Sequence, residues 1–167
     1  GIINTLIPGN LMSCQLCQMN INEFRGVSTV QLVIQDIRLS DECETEYDHE
    51  RTRYHEILDG AEFSCDEDIL PTRADIAELY RFFKRENMSG HTSFTYRMLR
   101  SQLFEHSHIN VSYPKLRFAI SILGDINVCG VSEESVEVVS VEVYKNAAKT
   151  NIETSETYKR LCDQCGA

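Results

Sequence analysis

The sequence predicts a mixed α+β chain, and three observations carry that reading. Residues 27–39 alternate, with Val30, Leu32 and Ile34 on one face and Gln31, Val33, Gln35 and Ile37 on the other. Three segments between 70 and 124 place apolar residues at helical spacing. Residues 136–144 alternate again, with Val139, Val141 and Val143 on an apolar face.

Taken in order, residues 11–21 and 27–39 read as two strands of a hairpin, joined by the polar, Gly-ended loop Asn22-Glu-Phe-Arg-Gly26. The first helix opens at Pro71 or Thr72, with Asp75 near the positive dipole end. Ile76, Leu79, Tyr80 and Phe83 form its stripe, and Ser89-Gly90 stops it. Ser93 is the expected N-cap of a second helix that buries Tyr96, Leu99, Leu103 and Phe104. Ser112 caps a third, with Pro114 in its first turn, a stripe of Leu116, Ala119, Ile120 and Leu123, and Gly124 at its end. Residues 126–131 and 136–144 read as a second hairpin, and Ser155 or Thr154 caps a short final helix. Three helices followed by a hairpin is the layout of a winged helix.

The 167 residues suit one domain or two small ones, and 42% apolar with 25% charged residues is ordinary globular usage. The formal charge of −10 is unevenly spread: residues 41–68 hold 12 acids against Arg51 and Arg53. That stretch reads as an acidic linker or variable insert between a segment 1–40 and a domain 70–167. Asp48-His49-Glu50 and His55/Glu56 within it read as solvated loop residues rather than metal ligands, and His106 and His108 as surface histidines.

Apolar runs such as Leu32-Val33-Ile34 are far too short for a membrane span. The first residues show no signal-peptide pattern, so a cytoplasmic chain with reduced thiols is the expectation for its 7 cysteines. The start at Gly1 suggests a processed chain or a fragment. Cys14/Cys17 and Cys162/Cys165 have CxxC spacing and form a weak alternative, a four-thiolate zinc site. Against it, the first pair lies in a predicted strand, without the Gly turn of a zinc knuckle, and the second at the chain end. No G-x-S-x-G, G-x-x-x-x-G-K-[ST] or G-x-G-x-x-G motif is present.

Asn22-Glu-Phe-Arg-Gly followed by Val30-Gln-Leu-Val-Ile-Gln-Asp-Ile-Arg38 resembles the last hairpin of the OB-fold domain of bacterial RecJ-type single-strand-specific DNA exonucleases. Pro71-Thr-Arg, Leu79-Tyr80, Leu116–Val128 and Lys149-Thr-Asn-Ile-Glu-Thr-Ser-Glu-Thr-Tyr158 resemble the extra C-terminal domain of such enzymes. The resemblance implies an OB-type hairpin at 1–40 and a winged-helix-like domain at 70–167. It implies a C-terminal piece of a 5′→3′ exonuclease of DNA repair and recombination. The family's Mn²⁺- or Mg²⁺-binding Asp and His motifs have no counterpart here, so no cofactor and no catalytic residue is carried over.

What remains is binding. Single-strand binders combine basic side chains with aromatic platforms. Candidates in the first hairpin are Asn22, Phe24, Arg25 and Arg38. In the helical part they are Tyr113, Lys115 and Arg117, at the start of the third helix, the position that enters the major groove in helix-turn-helix proteins. The hairpin acids Glu133, Glu134, Glu137 and Glu142 would repel phosphate and argue for protein contact instead. Two main expectations follow: an accessory region that holds single-stranded DNA, or a module that docks a basic repair or replication protein. Pairing of two copies through exposed strand edges is a further expectation.

Overall fold

The computed structural model describes residues 2–7, 11–24, 27–39, 41–107, 110–145 and 150–165. It is mixed α+β, and its contacts divide the chain into two compact units, Gly1–Asp48 and His49–Ala167. No helix among the described residues is long and apolar enough to cross a membrane.

The first unit is an antiparallel meander of β1 (Ile2–Ile7), β2 (Leu11–Phe24) and β3 (Val27–Leu39). The two long strands pair as far as Phe24 opposite Val27, so they use residues expected in the loop. An irregularity at Leu16/Cys17 shifts the register, opposing Leu16 to Asp36 and Cys17 to Ile34. Ile21 and Val30 are direct cross-strand partners and both are exposed.

Residues 41–69, expected as an acidic linker or insert, contain an 18-residue helix, α1 (Asp41–Leu58). The boundary between units falls inside this helix rather than at 69/70. From His49 on, α1 contributes to the second unit: Tyr54 and Ile57, one turn apart, are buried in its core. The helix is hard to read from sequence because its buried face is narrow and most of its surface is charged.

The second unit continues with α2 (Arg73–Met88), β4 (Ser93–Thr95), α3 (Tyr96–Ser107), α4 (Tyr113–Asp125), β5 (Cys129–Ser135) and β6 (Val138–Val143). A 3₁₀ turn, Ile152–Thr154, then leads into α5 (Glu156–Gln164). Thr72 starts α2 with a reciprocal capping box: its hydroxyl accepts from the Asp75 amide, and the Asp75 carboxylate accepts from the Thr72 amide at 2.8 Å. Gly90, at φ +85°, turns the chain out of α2 as expected. Ser93 does not cap α3, because it stands in β4; the Thr95 hydroxyl accepts from the Met98 amide instead. Nor does Gly124 end α4, which runs to Asp125 and leaves through Asn127 at φ +56°. Gly124 packs against Val131, and a Cβ there would meet the valine methyl at an ordinary contact distance of 3.4 Å.

The short sheet has strand order β4-β6-β5, all antiparallel, so the last strand is central. Its apolar face is the one the alternation predicts: Val139 and Val141 are fully buried. Beneath it lie Ile76, Leu79, Phe82 and Phe83 of α2, Leu99 and Leu103 of α3, and Leu116, Ala119, Ile120 and Leu123 of α4. Phe94 of β4 joins Phe82 and Phe83, with ring centroids 6.0 and 5.3 Å away. Past the end of β4 the open edge of β6 is completed by a side chain. Asn87 accepts from the Val143 amide at 2.7 Å and donates to the carbonyls of Val141 and His91.

Candidate functional site

The start of α4, expected to face DNA, is turned inward. Tyr113 is fully buried and Arg117 is 7% exposed. The Arg117 guanidinium lies over the rings of Tyr54, Tyr96 and Tyr113, at 4.5, 4.5 and 5.7 Å. It donates to the Tyr113 and Tyr54 hydroxyls at 3.0 and 3.3 Å and to Glu133 at 2.5 Å. Burial works against the Arg117 charge, but the three tyrosines and Glu133 outweigh it, and its pKa moves up. Burial likewise drives Tyr96 and Tyr113 up, so both stay neutral phenols.

Lys115 is equally committed. Its ammonium bridges Asp68 at 2.7 Å and Asp75 at 3.0 Å, and their attraction outweighs burial to raise its pKa. The N-terminus of α4, with its unpaired amides and positive dipole end, is occupied from within. Glu50 of α1 accepts from the Tyr113 amide at 3.0 Å while gripping Arg100 at 2.6 Å. Ser112 caps the Lys115 amide and donates to the Asp68 carbonyl. In this arrangement none of Tyr113, Lys115 and Arg117 is presented to a phosphate.

The other predicted positions are dispersed. Asn22 and Phe24 stand in β2 opposite Thr29 and Val27, and Arg38 in β3 opposite Cys14. Their side chains, those of Cys14 and Cys17, and the whole of Arg25 lie outside the described residues. Cys162 is half-buried and Cys165 buried at the end of α5. Among the described residues no group of three or more His, Cys, Asp and Glu side chains is placed to hold a metal ion, and no step through one is assigned to them.

Three of the four acids of the second hairpin are also engaged within the unit. Glu133 holds Arg117, Glu134 accepts from the Ser93 hydroxyl, and Glu137 pairs with Arg51 at 3.1 Å. In residues 49–68, Arg53 clamps Glu67 and Glu56, which lowers the Glu67 pKa through the Arg53 hydrogen bond first. Much of the negative charge legible in the sequence is thus spent on internal pairs.

Basic and aromatic side chains meet on a different surface of the second unit. Tyr80, Lys84, Asn87 and Met88 of α2 face Val143, Tyr144 and Lys145 at the end of β6 across an open cleft of about 390 Å³. Tyr80 and Lys84, four apart on α2, share one helix face. Lys84 and Lys145 are exposed, and neither has an ion-pair partner among the described residues. Tyr144 is 42% exposed and is laid over the neighbouring strand by Gly130. A Cβ at position 130 would stand 3.0 Å from the Tyr144 hydroxyl, so the ring would have to give way by a few tenths of an ångström to any other residue there. Asn87 fixes the two walls relative to each other through its bonds to β6. Tyr80 also lines an adjoining cavity of about 410 Å³ with Ile76, Leu123, Ile126, Val128 and Ile152. The sequence signal for this site was the pair Tyr80/Lys84 on one face and the dipeptide Tyr144-Lys145. Neither stands out until α2 and β6 are brought together.

Two exposed lysines and two tyrosines thus line one cleft between α2 and the end of β6. Comparison of the chain with family models, with curated proteins and with solved structures gave no match, so the geometry of this cleft and of the fold around it is what bears on function.

Proposed function

We propose that this chain is a non-catalytic C-terminal region of a 5′→3′ single-stranded-DNA exonuclease of the RecJ type, and that it helps hold the single strand. Two lines of support meet. The segments Val30–Arg38 and Lys149–Tyr158 resemble that family in sequence. The element order α2-β4-α3-α4-β5-β6, with strand order β4-β6-β5, supports a winged-helix reading of the second unit, in which β5–β6 is the wing. The first unit is read as the closing strands of an OB-type sheet on its sequence alone. In this reading the Mn²⁺ or Mg²⁺ ions belong to a catalytic core elsewhere in the parent enzyme.

The single observation that carries the proposal is the cleft with Tyr80, Lys84, Tyr144 and Lys145. The DNA contact is therefore assigned to the junction of α2 and β6, not to the start of α4. Lysines there neutralise the backbone and tyrosines stack bases, which gives sequence-tolerant binding weakened by salt. The test is fluorescence anisotropy of a labelled oligothymidine with the full chain at low and moderate salt. Binding that weakens with salt, and that is lost in the double variant Lys84→Glu/Lys145→Glu, supports the reading. No binding tighter than millimolar at low salt, or equal binding by the double variant, overturns it. Cleavage of the oligomer with added Mn²⁺ that tracks the purified protein would overturn the non-catalytic part.

A further inference from the structure

Cys65 and Cys165 are 100 residues apart in sequence, yet the Cys65 thiol donates to the Cys165 carbonyl oxygen at 3.3 Å. The chain around each is already laced to the other. The Phe63 amide donates to the Gln164 carbonyl at 3.4 Å, and the Gln164 side-chain amide donates to the carbonyls of Ile57 and Ala61 at 2.8 and 3.3 Å. Cys165 is itself held in place by the hydrogen bond that its amide donates to the Leu161 carbonyl at 2.9 Å. One thiol of this pair is exposed and the other buried. An exposed thiol next to a buried one is the arrangement in which an oxidant reaches the first and the second resolves it.

We propose that Cys65 and Cys165 form a disulfide on exposure to a peroxide, fastening the C-terminal helix α5 to the connection between α1 and α2. This inference is independent of the DNA reading. The Cys65 thiolate attacks one peroxide oxygen, the O–O bond breaks, and the other oxygen leaves as water after taking up a proton. Cys65 is then a sulfenic acid. The Cys165 sulfur attacks the Cys65 sulfur, the S–O bond breaks, and the departing hydroxide takes the Cys165 proton to leave as a second water. Two thiols are oxidised to one disulfide and one peroxide is reduced to two waters. The hydrogen bond with the Cys65 thiol, with burial behind it, pushes Cys165 up to about 11, which keeps it a thiol until Cys65 has reacted. Cys162, one turn earlier in α5, is the internal competitor for Cys165.

The test treats the full chain with a small excess of hydrogen peroxide, alkylates the remaining thiols and maps the unreduced peptides by mass spectrometry. The expected product is a Cys65–Cys165 cross-link, absent from Cys65→Ser and retained in Cys162→Ser. Because Cys65 is exposed, its serine variant keeps the fold, checked by circular dichroism. The cross-linked protein melts several degrees above the reduced protein, and added thiol reverses the shift. Alkylation of both Cys65 and Cys165 after peroxide, a sulfinic acid at Cys65, or a cross-link joining Cys162 to Cys165 overturns the proposal.

Discussion

The guanidinium carbon of Arg117 lies 4.5 Å from the centre of the Tyr96 ring, fully inside the second unit. The ring of Tyr54 from α1 lies at the same distance, and Glu133 of β5 supplies the countercharge. This one cation therefore ties α1, α3, α4 and the hairpin together. Removing it leaves the buried Tyr54 and Tyr113 hydroxyls without their donor and a void among three rings, while the half-exposed Glu133 is solvated. Arg117→Ala is expected to lower unfolding stability by roughly 2–4 kcal/mol, read by urea denaturation. Arg117→Lys recovers little of it, because an ammonium lacks the planar fork that meets two hydroxyls and a carboxylate together. A loss below about 1 kcal/mol would show that the cluster is not structural.

The Lys115–Asp75 pair makes stability depend on pH in a defined direction. Burial opposes ionisation of Asp75, but the Thr72 amide and hydroxyl and Lys115 outweigh it and hold its pKa below the ordinary value of 3.8. A carboxylate depressed in the folded state contributes stability above its unfolded pKa, and that contribution is lost as pH falls through the lower folded value. Asp75→Asn is expected to cost about 1–2 kcal/mol at pH 7 and to flatten the acid limb of a melting-temperature profile below about pH 4. An unchanged acid limb would rule out Asp75 as its source.

At the start of α4, Ser112→Ala is expected to cost about 1 kcal/mol through loss of the cap. Glu50→Gln keeps an acceptor for the Tyr113 amide but loses the charge facing Arg100 and the helix dipole. It is expected to cost about 1–2 kcal/mol, measured by chemical denaturation, without changing the affinity for single-stranded DNA. Weakened DNA binding in a folded Glu50→Gln protein would return the contact to α4.

In the cleft, Gly130→Val tests the Tyr144 platform without touching a cation. A Cβ there would stand 3.0 Å from the hydroxyl, and the valine methyls beyond it are expected to push the ring from its place. Affinity for oligothymidine is expected to fall by about tenfold, as for loss of one stacked base. The salt dependence stays near the wild-type slope, because both lysines remain. Tyr144→Ala should match it. Retained affinity in both variants would remove Tyr144 from the interface.

Asn87→Ala deprives the Val143 amide and the Val141 carbonyl of their partner at the open edge of β6. Two backbone groups left half-satisfied are expected to cost about 1–3 kcal/mol, with faster amide exchange at Val143 as the local readout. Unchanged exchange there would show that water replaces the side chain.

Local rules settled much of this molecule from the sequence. The caps at Thr72, Ser112 and Ser155, the stop at Gly90 and most of the apolar stripes of α2, α3 and α4 follow from neighbours within four residues, although Tyr80 and Phe104, expected in those stripes, are only half-buried. So does the face of β6 that carries Val139 and Val141. The fate of charges does not follow from neighbours. Arg117 and Glu133 are 16 apart, Arg100 and Glu50 are 50 apart, and Lys115 and Asp68 are 47 apart. Read along the chain, Lys115 and Arg117 are a basic helix start and residues 41–68 an acid linker. Only packing shows that Glu50 of α1 closes that N-terminus, that Asp68 and Asp75 pair with Lys115, and that Glu133 pairs with Arg117. The same packing brings Tyr80 and Lys84 to Tyr144 and Lys145, 60 residues on in sequence between Lys84 and Tyr144. Periodicity is set by backbone geometry and is written locally. Which charge is spent and which stays available is set by Coulomb attraction and desolvation across the fold, and tertiary structure alone decides it.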